Sequence, residues 1–344
     1  MRVIGLEEHF VTGEVIDAWL RLDPRWRDLS LRPSTQGEPA RRLADLGEER
    51  FAAMDETGID TQVLSLTTPG LQNLAAADAV ALQSGVNDQL AESVRAHPDR
   101  YQGFAALATP RPDAAADELV RAVTRLGLNG AMLFGRTRER SLDDPFFSPI
   151  LEAAQELRAP LYLHPQSPPP EVRSAYYRTH DDRTTAALST FGIGWHYDTG
   201  IALLRLILTG VFDRYPRLQV IVGHWGEVVL FYLERIARIP ALAALDRPLL
   251  DYFRTNVYLT PSGMFSRRYL SWAAEVVGAD RLLFATDYPF EFAPAGGARA
   301  FLEQADLTDA QRADIASGTW DRLCAGIRRA PLARVSGHDT TSGV

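Results

Sequence analysis

Cysteine is almost missing from this chain: Cys324 stands alone among 344 residues. That excludes an intrachain disulfide framework and suits a reducing compartment. It also means that any metal must be held by His, Asp and Glu. Long apolar runs are missing too. No stretch approaches the roughly 18 residues of a membrane-spanning helix, so no membrane partner is expected. Positive charge is in deficit, with a formal net charge of -8 and a pI near 5.5. Nothing here offers nucleic acid an electrostatic footprint. The N-terminal run ends in two acids, Glu7 and Glu8, which is not a secretory signal pattern. With those classes set aside, the expectation is a cytoplasmic protein whose 46% hydrophobic residues suffice for a full core.

What is present is a rhythm. Short apolar segments over 3–7, 61–66, 101–107, 128–134, 160–163, 218–222, 256–259 and 281–286 read as strands. Between them lie helical patterns, among them 43–58, 75–96, 114–126, 146–157, 201–208, 226–237 and 269–277. Alternating βα units in a chain of this length predict an α/β fold, a (β/α)8 TIM-like barrel forming one domain over 1–330. A doubly wound open sheet would want a glycine-rich loop after its first strand, where this chain has Glu7-Glu8-His9. Two stretches break the rhythm. Residues 23–42 are rich in Arg, Pro, Gly and Ser and read as a surface excursion or lid. Residues 165–198 carry four prolines, then aromatics and histidines, and read as an irregular pocket wall. The Ser-, Gly- and Thr-rich segment 331–344 reads as a flexible tail.

Residues just past the strand ends of a barrel converge on one pocket. In an extended chain Glu7 and His9 share a face and Glu8 points the other way. The later strand ends add His164, His224 and Asp287. Glu7, His9, His164 and Asp287 are therefore the expected ligands of one divalent metal, Zn²⁺ or Mn²⁺. His224 is either a fifth ligand or a partner of Asp287. Glu227 either caps the next helix or orients His224. Phe134, Trp195, Tyr197, Trp225, Tyr288 and Phe290 either stack on a ring or pack the core. Arg136 either meets a second acidic group or faces solvent. His196 is a further candidate for the pocket; His180, His97 and His338 are given no role.

These motifs resemble the amidohydrolase superfamily, and more narrowly its metal-dependent aromatic acid decarboxylases. Leu6-Glu7-Glu8-His9-Phe10 is similar to the opening of γ-resorcylate (2,6-dihydroxybenzoate) decarboxylases. Leu163-His164-Pro165, Gly223-His224-Trp225-Gly226-Glu227 and Phe284-Ala285-Thr286-Asp287-Tyr288-Pro289 continue the likeness, which spans roughly residues 2–325. The resemblance implies a distorted barrel, one Zn²⁺ or Mn²⁺ ion, no organic cofactor, and a homodimer or homotetramer. It implies non-oxidative decarboxylation of an ortho-hydroxylated benzoate, with Asp287, His224 and Glu227 as catalytic groups. A metal-dependent hydrolase such as a lactonase is the alternative. The chain departs from its relatives at Leu133-Phe134-Gly135, where many have Val-Asn-Gly, and at Gly318-Thr319-Trp320, where they have Gly-Asn-Ala.

Overall fold

The computed structural model describes residues 1–239 and 245–330. His338 and the expected tail 331–344 lie outside the described residues.

Seven short parallel strands carry the fold: β1 (Ile4–Phe10), β2 (Thr61–Leu66), β3 (Tyr101–Gly103), β4 (Ala131–Phe134), β5 (Leu161–His164), β6 (Val220–Val222) and β7 (Val257–Leu259). They form two ladders, β1-β2-β3 and β4-β5-β6-β7. Single bridges join the ladders into a ring. Ala105 pairs with Ala131, Leu259 with Leu282, and Glu8 with Tyr288. Residues 282–288 thus fill the eighth place, with Leu6 N–H bonded to Phe284 O at 2.9 Å and His9 N–H to Tyr288 O at 2.7 Å. The expected eighth strand over 281–286 has no regular ladder, because it touches its neighbours only at isolated points.

Inside the ring Ile4, Leu6, Val63, Phe104, Met132, Tyr162, Ile221, Leu283 and Ala285 form one buried cluster. Trp320 joins it from the C-terminal helix Thr319–Ala325, its Nε1–H bonded to Gln102 Oε1 at 2.8 Å. The barrel is therefore filled below the site, as such barrels are. A second, larger cluster of outward-facing strand residues packs beneath the helices.

β1 is not a plain strand. Its pairing with β2 slips between Gly5 and Glu8, where three steps on β1 match two on β2. This bulge resets the alternation. Ile4 and Leu6 face inward, and so do Glu7 and His9. Glu8 is wedged between strands instead. It accepts from Thr286 N–H at 2.8 Å, Thr286 Oγ1–H at 2.6 Å and Gln62 Nε2–H at 3.1 Å. A Cβ on Gly5 would lie 2.2 Å from Glu8 Oε1, so only glycine fits there.

Both insertions are more ordered than their composition suggests. Residues 23–42 include the helix Leu31–Thr35 and most of Gly37–Ala44. Buried Asp28 accepts from Ser167 N–H and Ser167 Oγ–H, each at 2.8 Å, which clasps the first insertion to the second. Within 165–198, helix Asp182–Ala187 precedes a long helix that begins at Gly194 and runs to Leu208. The latter was expected only from 201. Tertiary contacts of Trp195, His196 and Asp198 override their modest helix propensity. The helix expected over 226–237 is absent in that form. Residues 224–228 all have positive φ, from 47° at His224 to 86° at Gly226, and short helical turns Val229–Tyr232 and Leu233–Ile236 follow.

Candidate metal centre and active site

Glu7 and His9 from β1, His164 from the end of β5 and Asp287 from the eighth segment bring one donor atom each to within 4.8 Å of one another. His164 Nε2 lies 3.0 Å from Glu7 Oε1, and His9 Nε2 lies 3.3 Å from Asp287 Oδ1. The distances are short, yet Glu7 Oε1, His9 Nε2 and His164 Nε2 are buried and make no hydrogen bond. An unsatisfied buried polar atom costs roughly 1–3 kcal/mol, so three converging on one point call for a cation between them.

The outer contacts orient each of these groups. His164 Nδ1 lies 2.9 Å from Pro165 O and 2.9 Å from Thr68 Oγ1. Pro165 O can only accept, so Nδ1 carries the hydrogen and Nε2 presents its lone pair. His9 Nδ1 meets Ser65 Oγ at 3.2 Å. Tyr162 Oη and Ser262 Oγ both donate to Glu7 Oε2, leaving Oε1 for the cluster. Gly223 makes room for that carboxylate: a Cβ there would lie 2.8 Å from Glu7 Oε2. Tyr162 was legible in principle, standing two residues before His164 on the same face. Ser262 carried no sequence signal.

Burial would raise the Glu7 carboxyl, but the His224 and His164 imidazoles overcome it and hold it down at about 2. Burial likewise works against Asp287 ionisation, and contacts from His224 and His9 hold it well below the usual carboxylate range. Burial lowers His9. A carboxyl depressed on folding contributes stability that is complete above its ordinary value of 4.5 and is lost as the pH falls toward 2. Metal-free wild type should therefore lose stability more steeply than Glu7→Gln between those limits. Urea unfolding of both proteins as a function of pH checks this; parallel curves would show that Glu7 ionisation does not stabilise the fold.

His224 belongs to a neighbouring group, with Glu227 and His196. Its Nδ1 lies 2.8 Å from Glu227 Oε1, and its Nε2 lies 3.8 Å from Asp287 Oδ2 and 4.0 Å from Glu7 Oε1. Burial lowers the imidazole pKa, but the carboxylates of Glu227 and Glu7 outweigh it and raise His224 well above its ordinary value. Glu227 is fully buried; burial opposes its charge, and His224 and His196 hold its pKa down. His224 and Glu227 sit on the left-handed turn 224–228. A non-glycine residue in that conformation costs of order 1–3 kcal/mol, and Asp287 (φ 62°) and Ser262 (φ 43°) share it. Backbone strain is concentrated where the polar side chains converge.

A cavity of about 660 Å³ opens beside Asp287, walled by Trp195, Thr190 and Phe290 and rimmed by Arg32, Arg183 and Glu291. Of the residues expected at the pocket, Trp195 and Phe290 line this cavity. Phe134 is buried against the edge of His164, with ring centroids 5.7 Å apart. Tyr288 is buried under the Arg50 guanidinium. Trp225 lines a separate apolar cavity that ends at His224. Arg136 donates to the carbonyls of Arg138 and Ser167 and lines a different, polar cavity of about 870 Å³. His196 turns toward Glu227, with Nδ1 2.7 Å from Glu227 Oε2 and Nε2 3.1 Å from Phe191 O.

The amidohydrolase family profile matches residues 16–319. A γ-resorcylate decarboxylase from Polaromonas sp. is 36% identical over 93% of this chain and 97% of its own length. This chain is a member of the amidohydrolase family. It falls in the decarboxylase branch of that family. The solved amidohydrolase most informative about the site is a dihydroxybenzoic acid decarboxylase from Polaromonas sp. with bound manganese and the inhibitor 2-nitroresorcinol. It has a TM-score of 0.81 and 34% identity, covering 94% of this chain and 97% of that one. A 5-carboxyvanillate decarboxylase from Sphingomonas paucimobilis superposes with a TM-score of 0.85 at 33% identity, covering 94% and 99%.

Proposed function

We propose that the chain is a divalent-metal-dependent carboxy-lyase that converts an ortho-hydroxylated aromatic acid to the phenol and CO₂. The observation that carries this reading is the convergence of three unpartnered buried atoms, from Glu7, His9 and His164, with Asp287 at the floor of an aromatic-walled cavity. Glu7, His9, His164 and Asp287 would hold one Mn²⁺ or Zn²⁺ ion, and the manganese in solved relatives favours the former. No organic cofactor is required. The basic residues are all arginine, so no lysine amine exists to form a Schiff base.

A cation held there would supply Lewis acidity and stabilise negative charge on the substrate carboxylate and ortho oxygen. Trp195 and Phe290 flank the ring and exclude water. Asp287 Oδ2 passes a proton to the ring carbon that bears the carboxylate. The carbon–carbon bond then breaks, its electron pair returns to the ring, and CO₂ leaves. Because Asp287 is itself a weak holder of protons, His224 stores the proton and faces Asp287 through Nε2. Glu227 keeps that imidazole oriented and charged.

The test is incubation of manganese- and zinc-loaded protein with a panel of ortho-hydroxybenzoates and simple lactones, followed by mass spectrometry. Chelator-sensitive release of CO₂ from an aromatic acid is expected. Hydrolysis of a lactone with no CO₂ released from any acid would reassign the chain to the hydrolases. A homodimer or homotetramer is part of the reading, supported by a connected apolar surface of Tyr197, Ile201, Phe231, Tyr232, Ile239 and Tyr269. A cytoplasmic location is supported by the single cysteine. Among the described residues no helix is long and apolar enough to cross a membrane.

A further inference from the structure

One buried polar contact of the site has no part in the chemistry above. Glu227 is fully buried, and each of its two oxygens is taken by a different imidazole. Oε1 lies 2.8 Å from His224 Nδ1, and Oε2 lies 2.7 Å from His196 Nδ1. The far nitrogen of His196 lies 3.1 Å from Phe191 O. The Phe191 carbonyl and the Glu227 carboxylate can only accept, so the ring is held at both ends with a hydrogen on each nitrogen. The two imidazoles lie 4.6 Å apart between centroids, on either side of the one carboxylate.

His196 is brought there by long-range packing. It lies in the first turn of the helix Gly194–Leu208, and Gly200 lets that helix press onto the left-handed turn. A Cβ at Gly200 would stand 2.4 Å from Glu227 O. The His196 side chain lines neither the Asp287 cavity nor the apolar cavity at His224. It is bonded to Glu227, which in turn meets His224 Nδ1.

We infer that His196 is a positioning residue for proton transfer: by holding Glu227 Oε2 it fixes Oε1 on His224 Nδ1, and with it the ring whose Nε2 faces Asp287. A carboxylate held at one oxygen only can rotate about its terminal bond. Held at both, it presents His224 with a single acceptor geometry. The role is that of an outer partner that orients a reacting imidazole, and losing such a partner typically costs about 10- to 100-fold in rate. The inference rests on the decarboxylase reading for its assay, and on geometry alone for its structural part.

The experiment compares wild type with His196→Ala, His196→Asn and His196→Gln. CO₂ release by wild type is measured first; its absence would count against the decarboxylase reading and leave the second readout to judge His196. In His196→Ala, kcat should fall about 10- to 100-fold, with KM and metal content within about twofold of wild type. His196→Asn puts an amide N–H near the Nδ1 position and should restore most of kcat; His196→Gln reaches the Phe191 side and should not. The second readout is the downfield NMR resonance of the His224 Nδ1 proton in metal-free protein. It should broaden or shift in His196→Ala and return in His196→Asn. An unchanged kcat and resonance in folded His196→Ala would overturn the inference, as would equal losses in the Asn and Gln variants. So would two metal ions per wild-type chain falling to one in His196→Ala, which would make His196 a ligand.

Discussion

Asp287→Asn should abolish measurable decarboxylation while most of the metal stays bound. Asparagine keeps the size of the side chain and one carbonyl oxygen toward the cluster, where Glu7, His9 and His164 remain. What it removes is the capacity to take a proton from His224 and pass it on. A positioned proton donor contributes roughly 10²- to 10⁴-fold, so kcat should fall by at least about a hundredfold. Metal content per chain, measured on the same preparation, separates this from loss of the ion. Turnover above about a tenth of wild type with metal bound would take the proton-transfer role away from Asp287 and leave His224 as the direct donor. The depressed pKa of Asp287 gives the prediction its point, since the carboxyl is too weak a proton holder to work without a neighbour. His224, 3.8 Å away and raised in pKa, is the neighbour available.

Stripping the metal should lower thermal stability and eliminate activity together, and manganese or zinc should restore both. The apo chain keeps three buried atoms without hydrogen bonds, and their lone pairs crowd a space in which carboxylates and imidazole nitrogens already approach within 3.0 to 3.3 Å. A ligand present at a thousand times its dissociation constant stabilises the folded state by about 4.1 kcal/mol. For a chain of this length that corresponds to a melting shift of about 6 °C. His164→Ala should show the low melting temperature at the outset and gain little on adding metal. A melting temperature and activity unaffected by chelation, in protein verified to be metal-free, would mean that the cluster is not a metal site.

Much of this was legible in one dimension. The order of apolar segments predicts the barrel because each strand needs a buried stripe and each helix a return path. Glu7, His9, His164 and Asp287 stand where apolar strands end, and strand ends of a barrel share a pocket, so their convergence follows from position alone. Less was visible where function depends on contacts distant in sequence. Trp225 and Tyr288 look as fit for a pocket as Trp195 and Phe290. The difference lies in which side of the barrel rim each is packed against. Arg136 looks free, but its two terminal nitrogens are spent on the backbone carbonyls of Arg138 and Ser167, and its Nε lies 3.7 Å from Asp198 Oδ2.

The sequence by itself determined the barrel, the amidohydrolase motifs and which groups are candidate metal donors, because these depend on residue type and short-range spacing. Only the tertiary structure decided how the donors are aimed. Simple alternation from Ile4 and Leu6 would turn Glu7 and His9 away from the barrel interior, and the bulge in β1 turns them back. The left-handed turn at 224–228 sets His224 beside Asp287, and a helix beginning at Gly194 delivers His196 to Glu227. Such features arise from the packing of segments remote along the chain, and no local propensity encodes them.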